Sequence, residues 1–233
     1  MSKILIIVTN VDEYEKVGYR TGLWFSELVH FYDVAEAAGF SMVVASPSGG
    51  KVPIDPESLL LSELGDAVGF KSAVLKRYLD RGFMDLLSHS AKVSDLSASE
   101  FDAVYLTGGH GVMFDFHSKQ MASLIADFYD AGKLVSAVCH GPSGLLDVEL
   151  NDGSYLVTDK NLTGFSWQEE ILVKRDFAVP YNLEDELQNK GAVYSKSAIP
   201  FARHIVEDGN LITGQNPSSA QAVGEAVVKR LVA

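Results

Sequence analysis

A short apolar strand, an amphipathic helix and a second apolar strand follow one another at the start of the chain. Residues 4–8 are a β-branched apolar run of strand length. A helical pattern follows and ends where Gly39 can stop a helix, and residues 41–47 (SMVVASP) are a second apolar run. Because two consecutive parallel strands need a crossover helix, this order predicts a βαβ unit in an α/β fold, with a mostly parallel sheet and helices on both faces.

The same alternation returns in the second half of the chain. Residues 101–109 and 133–141 predict strands, and residues 119–132 predict a helix between them. Residues 152–165 alternate in polarity and carry an Asp-Gly pair, so a hairpin is expected there. Residues 204–215 predict two short strands around another Asp-Gly turn.

The stretch from about 48 to 97 interrupts this alternation. Pro53 and Pro56 precede residues 71–90, which have a helical pattern. We interpret 48–97 as an insertion that packs over the main sheet. A chain of 233 residues suits one domain of this kind and can bury enough surface without a disulfide or a structural metal. Residues 1–233 are therefore predicted to form a single domain.

The charge balance and the cysteine count exclude several classes of protein. The chain has 19 Lys and Arg against 31 Asp and Glu, a net charge of -12, which disfavours nucleic acid and anionic membrane surfaces as partners. No apolar run approaches the roughly 20 residues of a membrane-spanning helix. One cysteine cannot form an internal disulfide, so a reducing, cytoplasmic location is expected.

That single cysteine, Cys139, lies where a predicted strand meets what resembles the first turns of a helix. A tight turn between strand and helix is typical of a nucleophile elbow. The partial positive charge of a helix N-terminus would lower the pKa of a thiol placed there, and Gly141 would allow close approach. The alternative is that Cys139 is a small buried hydrophobe without chemistry. The local sequence leaves both interpretations open.

Three motifs carry a resemblance to a known family: AVCHGP around Cys139, GGHGVMFDF before it and LTGFSWQEE after it. With GLWFSELVHF and LITGQNPSSA, they make the chain resemble the DJ-1/PfpI superfamily, in its Hsp31-like branch of glutathione-independent glyoxalases. The resemblance spans nearly the whole chain. It implies a flavodoxin-like α/β sandwich related to class I glutamine amidotransferases, and relatives commonly form homodimers.

The resemblance also implies which residues act. Cys139 matches the nucleophile, His140 the histidine that follows it, and Glu27 the carboxyl group that hydrogen-bonds the nucleophile. An acidic residue after TGF completes a Cys–His–Glu triad, and counting places it at Glu170, with Glu169 as the alternative.

Gly109 and His110 match the oxyanion-hole and substrate-contact region of the family. No cofactor is implied, since the cysteine does the work of glutathione. No metal site is predicted either, because no cysteine cluster or H-E-x-x-H pattern exists.

Two of these carboxyl groups can also be judged from their neighbours in the sequence. Glu27 lies among Trp24, Phe25 and Leu28, where an unpaired charge is costly, so burial should raise its pKa and keep it protonated. Glu170 belongs to an acidic pair that could instead be the solvated first turn of a helix capped by Ser166.

The activity implied by the resemblance is the conversion of methylglyoxal, a small 2-oxoaldehyde, into lactate through a hemithioacetal on Cys139. This is a cofactor-independent lyase of the glyoxalase III (D-lactate dehydratase) type. Two alternatives stay open. One is a stress chaperone that binds unfolding chains, and the other is a deglycase or peptidase-like hydrolase that uses the same triad.

Overall fold

The computed structural model describes residues 2–65 and 73–233. The strands are β1 (Lys3–Ile7), β2 (Ser41–Ser46), β3 (Ala91–Lys92), β4 (Ala103–Leu106), β5 (Leu134–Val138), β6 (Asn161–Leu162), β7 (Val193–Tyr194), β8 (Ile205–Asp208) and β9 (Leu211–Gly214). The helices are α1 (Phe25–Ala37), α2 (Pro56–Gly65), α3 (Ala73–Leu79), α4 (Arg81–Ser88), α5 (Val112–Asp115), α6 (Lys119–Asp130), α7 (Trp167–Leu172), α8 (Leu183–Asn189) and α9 (Ala220–Val232). Short 3₁₀ turns join some of them.

The main sheet has the strand order β3-β2-β1-β4-β5-β9-β8. Its neighbouring strands are parallel except for β8 and β9, which are antiparallel. The predicted α/β class with a mostly parallel sheet is therefore confirmed. The antiparallel pair confirms the two short strands around Asp208 and Gly209, because that turn reverses the chain directly.

Alternate residues of each central strand pack on opposite faces of the sheet. In β1, Leu5 and Ile7 join one apolar cluster, to which α6 contributes Ile125 and Phe128. Ile4 and Ile6 join the other cluster, where α1 and α9 pack side by side. Because both faces are covered by helices, the central strands are mostly apolar, as buried parallel strands usually are.

The predicted hairpin at 152–165 is wrong. The Asp152-Gly153 turn exists, but it supports only an isolated antiparallel bridge between Glu149 and Tyr155. Further along, β6 pairs in parallel with β7 instead of folding back on its own neighbour. The backbone N–H and the side chain of Asn161 both donate to Asp208, which holds this segment against the edge of the main sheet.

The segment at 48–97 does more than cover the sheet. It supplies α2, α3 and α4, of which α2 and α3 contact α1, and also β3, which extends the main sheet beside β2. The predicted helix at 71–90 is two helices, because Asp80 caps a new one by accepting from the N–H groups of Gly82 and Phe83. Positions 71 and 72 of that prediction lie outside the described residues. None of the helices that the structure describes is long and apolar enough to cross a membrane.

Candidate active site

The site forms at the carboxyl ends of the adjacent parallel strands β4 and β5. Gly108–Gly111 follow β4, and Cys139 follows β5. In parallel α/β sheets ligands bind at this edge, because the loops after the strands converge there. The LTGFSWQEE motif is held against the same edge, since the Phe165 N–H donates to the Cys139 carbonyl at 2.8 Å.

Cys139 lies on a sharp turn in the left-handed backbone region, with φ of 58°. Such a conformation is uncommon for a residue other than glycine and costs energy that the surrounding structure must offset. The Cys139 N–H donates to the Gly214 carbonyl at 2.9 Å, which anchors the turn to β9. The chain continues as a short 3₁₀ helix, Gly141–Leu145, where the sequence predicted the start of an α-helix.

Glu27 reaches this turn from the first turn of α1 and is fully buried. Its Oε2 accepts from the Gly108 N–H at 2.7 Å, while its Oε1 has no hydrogen-bond partner among the described residues. Burial raises the pKa of Glu27 to about 8, against smaller opposing effects of Cys139 and the Gly108 N–H. The direction is the one expected from its apolar neighbours, so the carboxyl group is mostly protonated near neutral pH.

The Cys139 thiol differs from the sequence-based expectation of a lowered pKa. Its side chain is buried, and burial raises the pKa of the Cys139 thiol well above its usual value, with the Glu27 charge as the next cause. The Gly109 N–H, which interacts with the sulfur, acts in the opposite direction. Since a protonated Glu27 carries no charge, burial is the main obstacle to forming the thiolate. A nearby base is therefore needed.

His140 is the candidate for such a base. Its Nδ1 lies 3.3 Å from Cys139 Sγ, and its Nε2 lies 2.8 Å from Glu170 Oε2. Burial and the proximity of His110 lower the pKa of His140, although Glu170 opposes them. Burial acts against ionisation of Glu170, but the charges and hydrogen bonds of His140 and His110 prevail and lower its pKa. An ionised carboxylate only accepts, so His140 carries its proton on Nε2 and turns the Nδ1 lone pair to the thiol.

Glu170 also binds a second imidazole. His110 Nε2 lies 2.7 Å from Glu170 Oε1, and the two imidazole rings are 4.3 Å apart. His110 Nδ1 is buried and has no partner among the described residues. The sequence marked His110 only as a substrate or oxyanion contact. That it shares a carboxylate with His140 was missed, because a separation of 60 residues between His110 and Glu170 leaves no local signal.

The structure separates the two candidate triad acids. The Ser166 cap forms, and Glu169 completes its capping box, but neither glutamate is solvated as the alternative interpretation required. Glu170 faces the two histidines, whereas Glu169 turns away and accepts hydrogen bonds from Ser166, Phe201, Gln215 and Asn216. Consecutive helical residues point about 100° apart, which explains the different surroundings.

A pocket of about 500 Å³ opens above these groups. Its lining combines the side chains of Cys139, His140 and His110 with an apolar wall and several hydroxyl groups. The apolar wall consists of Trp24, Val74, Phe165, Val173, Phe201 and Pro217. A concave, mostly apolar site with a few convergent polar groups is typical of small-molecule binding.

One group of side chains at the site could also hold a metal ion. His110, His140 and Glu170 offer ligand atoms that lie within 4.8 Å of one another, and all three residues are buried. Two imidazoles and a carboxylate suit a divalent transition metal. The sequence predicted no metal site, since these three positions follow no ligand-spacing rule.

A buried cysteine lies at a strand-end turn of this flavodoxin-like sheet, beside a histidine, a carboxylate and a mostly protonated glutamic acid, and these groups form a candidate nucleophile site. The chain belongs to the DJ-1/PfpI family, whose profile matches residues 17–230.

Similar proteins agree with this assignment. Glyoxalase 3 of Candida albicans is 30% identical over 98% of both chains. The crystal structure of glyoxalase III from that organism covers 98% of this chain and 96% of its own, at 27% identity and a TM-score of 0.79. A Francisella tularensis structure, rapid encystment protein REP24, is 32% identical, covers 99% of both chains and has a TM-score of 0.90.

Proposed function

We propose that this protein is a glutathione-independent glyoxalase that converts methylglyoxal into lactate. The observation that carries the proposal is that His140 contacts both Glu170 and Cys139, with distances of 2.8 Å and 3.3 Å between the interacting atoms. Relatives of nearly full length that are named as glyoxalases support the substrate class. The lyase class and the role of Cys139 as nucleophile are part of this proposal.

The first step is formation of the nucleophile. Glu170 holds the imidazole of His140 so that Nδ1 accepts the Cys139 proton, and the Glu170 charge stabilises the resulting imidazolium. The thiolate then attacks the aldehyde carbon of methylglyoxal. A carbon–sulfur bond forms, the carbonyl π bond breaks, and the new alkoxide takes the proton from His140. The product is a hemithioacetal, with the Gly109 N–H close to the reacting sulfur.

The second step moves hydrogen between the two substrate carbons. His140, neutral again, removes the proton from the carbon bound to sulfur and delivers it to the ketone oxygen, which gives an enediol. His140 then takes the hydroxyl proton on the carbon bound to sulfur and returns a proton to the neighbouring carbon, which gives a lactoyl thioester. One substrate carbon is oxidised and the other reduced, so no external oxidant or reductant is needed. Water then cleaves the thioester, which releases lactate and restores the thiol.

The experiment is a lactate assay with purified protein, methylglyoxal and no added thiol. We expect lactate from the wild type and none above background from Cys139→Ala. Glu225→Gln is a matched control, since Glu225 is exposed on α9 and does not line the pocket. Absence of lactate from the folded wild type would contradict the proposal. Release of sugar from a glycated peptide in its place would favour the hydrolase alternative.

A further inference from the structure

Glu169 has an unusual environment for a carboxylate. It is fully buried, and its hydrogen-bond partners among the described residues include no lysine or arginine. Oε2 accepts from the Ser166 N–H at 3.0 Å, the Ser166 hydroxyl at 2.8 Å and the Gln215 amide at 2.9 Å. Oε1 accepts from the Phe201 N–H at 2.7 Å and the Asn216 amide at 2.9 Å. Five donors satisfy an acceptor that offers about four lone-pair directions.

These donors come from three separate segments that border the pocket. Ser166 caps the N-terminus of α7, Phe201 belongs to the loop before β8, and Gln215 and Asn216 follow β9. The amide of Asn216 also donates to the Ala202 carbonyl at 2.9 Å, which links the second segment to the third. Glu169 therefore fixes the positions of three backbone segments relative to one another.

Phe201 shows why this anchor is needed. Its φ is 61°, a left-handed conformation that an aromatic residue rarely adopts, and the hydrogen bond from its N–H to Glu169 holds it there. The Phe201 ring lies 6.3 Å from the Phe165 ring, which in turn lies 4.5 Å from the His140 ring. A continuous aromatic wall thus runs from the catalytic imidazole to the loop that Glu169 holds.

The pocket is larger than methylglyoxal requires. Its volume of about 500 Å³ lies within the range of roughly 300–1,000 Å³ found for sites that bury drug-sized ligands. A three-carbon aldehyde on Cys139 would leave most of the apolar wall uncovered. Aromatic groups gain from both burial and ring contacts with Phe165 and Phe201.

We propose that Glu169 is a positioning residue that builds this wall for 2-oxoaldehydes with a bulky, aromatic substituent. The inference rests on the proposed glyoxalase function, because it assigns the substrate class of the same site. Glu169 itself does not contact the reacting atoms. It acts through Phe201 and the Asn216-Pro217 turn, whose Pro217 lines the pocket.

The test compares phenylglyoxal with methylglyoxal in wild type, Glu169→Gln and Glu170→Gln. In Glu169→Gln the side-chain NH₂ group would face the groups that donate to the Glu169 carboxylate. Donors cannot bond to donors, so the residues of the apolar wall should shift. We expect its kcat/KM to fall at least about tenfold more for phenylglyoxal than for methylglyoxal, mainly through KM. Glu170→Gln should lower kcat/KM equally for both substrates, through a lower kcat. Equal losses in a folded Glu169→Gln would overturn the proposal.

Alkylation of Cys139 tests the wall without any glyoxalase activity. Iodoacetamide and its N-benzyl analogue both transfer a carbon to sulfur with loss of iodide, but only the second carries a ring. Glu169→Gln should slow alkylation by the benzyl reagent relative to alkylation by iodoacetamide. An unchanged ratio of the two rates would overturn the proposal. If the lactate assay fails but Glu169→Gln alters the ratio of the two alkylation rates, only the glyoxalase function is rejected.

Two further variants apply if Glu169→Gln does not fold. Glu169→Asp keeps the charge and should restore part of the preference for the aromatic reagent. Phe201→Ala removes the ring but keeps the backbone donor to Glu169, and Phe201 is partly exposed, so the fold should tolerate it. Phe201→Ala should lower the preference for phenylglyoxal, and an unchanged preference would overturn the proposal.

Discussion

Cys139 combines a strained backbone with a side chain that burial keeps protonated. Its φ is 58°, and the pKa of its thiol is raised. A cysteine that served only as a small hydrophobe would need neither the strain nor the polar neighbours. Burial keeps the neighbouring Glu27 carboxyl group mostly protonated near neutral pH, and His140 Nδ1 lies 3.3 Å from Cys139 Sγ. Any reactivity of the thiol would therefore depend more on the groups around the sulfur than on the pKa of the thiol itself.

Glu27 makes the stability of the protein depend on pH. Its pKa is about 8 in the folded protein and 4.5 when exposed, so the folded state binds one more proton between these values. The unfolding free energy should then fall with rising pH across this window, by about 1.4 kcal/mol per pH unit from this group. Glu27→Gln cannot titrate and should lose this contribution. Urea unfolding at several pH values measures it, and parallel slopes for wild type and Glu27→Gln would contradict the assignment.

Glu170→Gln tests the tautomer argument. A neutral amide no longer forces the proton of His140 onto Nε2, so fewer molecules present the Nδ1 lone pair to Cys139. We expect kcat for lactate formation to fall by about 10³–10⁴-fold, with slower alkylation of the thiol by iodoacetamide. Glu225→Gln serves as the control. An unchanged alkylation rate would show that His140 does not depend on Glu170.

The sequence indicated candidate site residues better than it indicated their arrangement. Cys139, His140, Glu27 and Glu170 could be marked because each lies in a recognisable local motif. The role of Glu169 could not be predicted, since its partners are brought together only by the tertiary fold. The direction of the thiol pKa was wrong for a similar reason: local sequence indicates a helix start but not the depth of burial.

At the scale of elements, the elbow after β5 depends on the loop after β4. Gly108 lies between the side chains of Glu27 and Cys139, and a Cβ there would come within 2.6 Å of Glu27 Oε2 and 2.7 Å of Cys139 Cβ. Glycine is required at position 108 for steric reasons, because Glu27 is held by α1 and Cys139 by the main sheet. The close approach of two strand-end loops is thus what places a carboxyl group next to the thiol.

Gly108→Ala should therefore separate Glu27 from Cys139. We expect a loss of about 1–3 kcal/mol in unfolding free energy and a large loss of lactate formation. Gly82→Ala is the matched control, because a Cβ there meets nothing closer than 3.4 Å and alanine favours the start of α4. Thermal unfolding and the lactate assay measure both variants. A Gly108→Ala protein as stable and active as Gly82→Ala would contradict this account of the elbow.

Strand and helix order was predictable where periodicity is strong. The apolar runs of β1, β2, β4 and β5 predict a parallel sheet from local pattern alone. The hairpin prediction at 152–165 failed because an Asp-Gly turn fixes a reversal but not the partner of the strand that follows. Asp208 supplies that partner contact from a distant part of the chain.

At the scale of the whole molecule, the sheet separates two apolar clusters that share its central strands. Trp24 lines the pocket, whereas Trp167 packs against the cluster that contains α6. Because alternate residues of β1 belong to both clusters, we expect the two clusters to unfold together. The single domain predicted from chain length would unfold as one unit.

Two single-tryptophan variants test this unity. Trp24→Phe leaves Trp167 as the fluorescent reporter, and Trp167→Phe leaves Trp24. We expect the fluorescence midpoint in urea of each variant to coincide with its own midpoint from far-ultraviolet circular dichroism. Separate midpoints for fluorescence and dichroism would indicate two cooperative units.

The homodimer, the cytoplasmic location and the lack of nucleic-acid partners stay predictions.

The proposed reaction requires a covalent bond between Cys139 and the substrate. The most direct measurement is intact-mass spectrometry of protein quenched at successive times after mixing with methylglyoxal in thiol-free buffer, with peptide mapping of the adduct. We expect an adduct of one methylglyoxal mass on Cys139 that decays as lactate appears and that is absent from Cys139→Ala. Lactate formation without any adduct on Cys139, at the same rate in Cys139→Ala, would contradict the account.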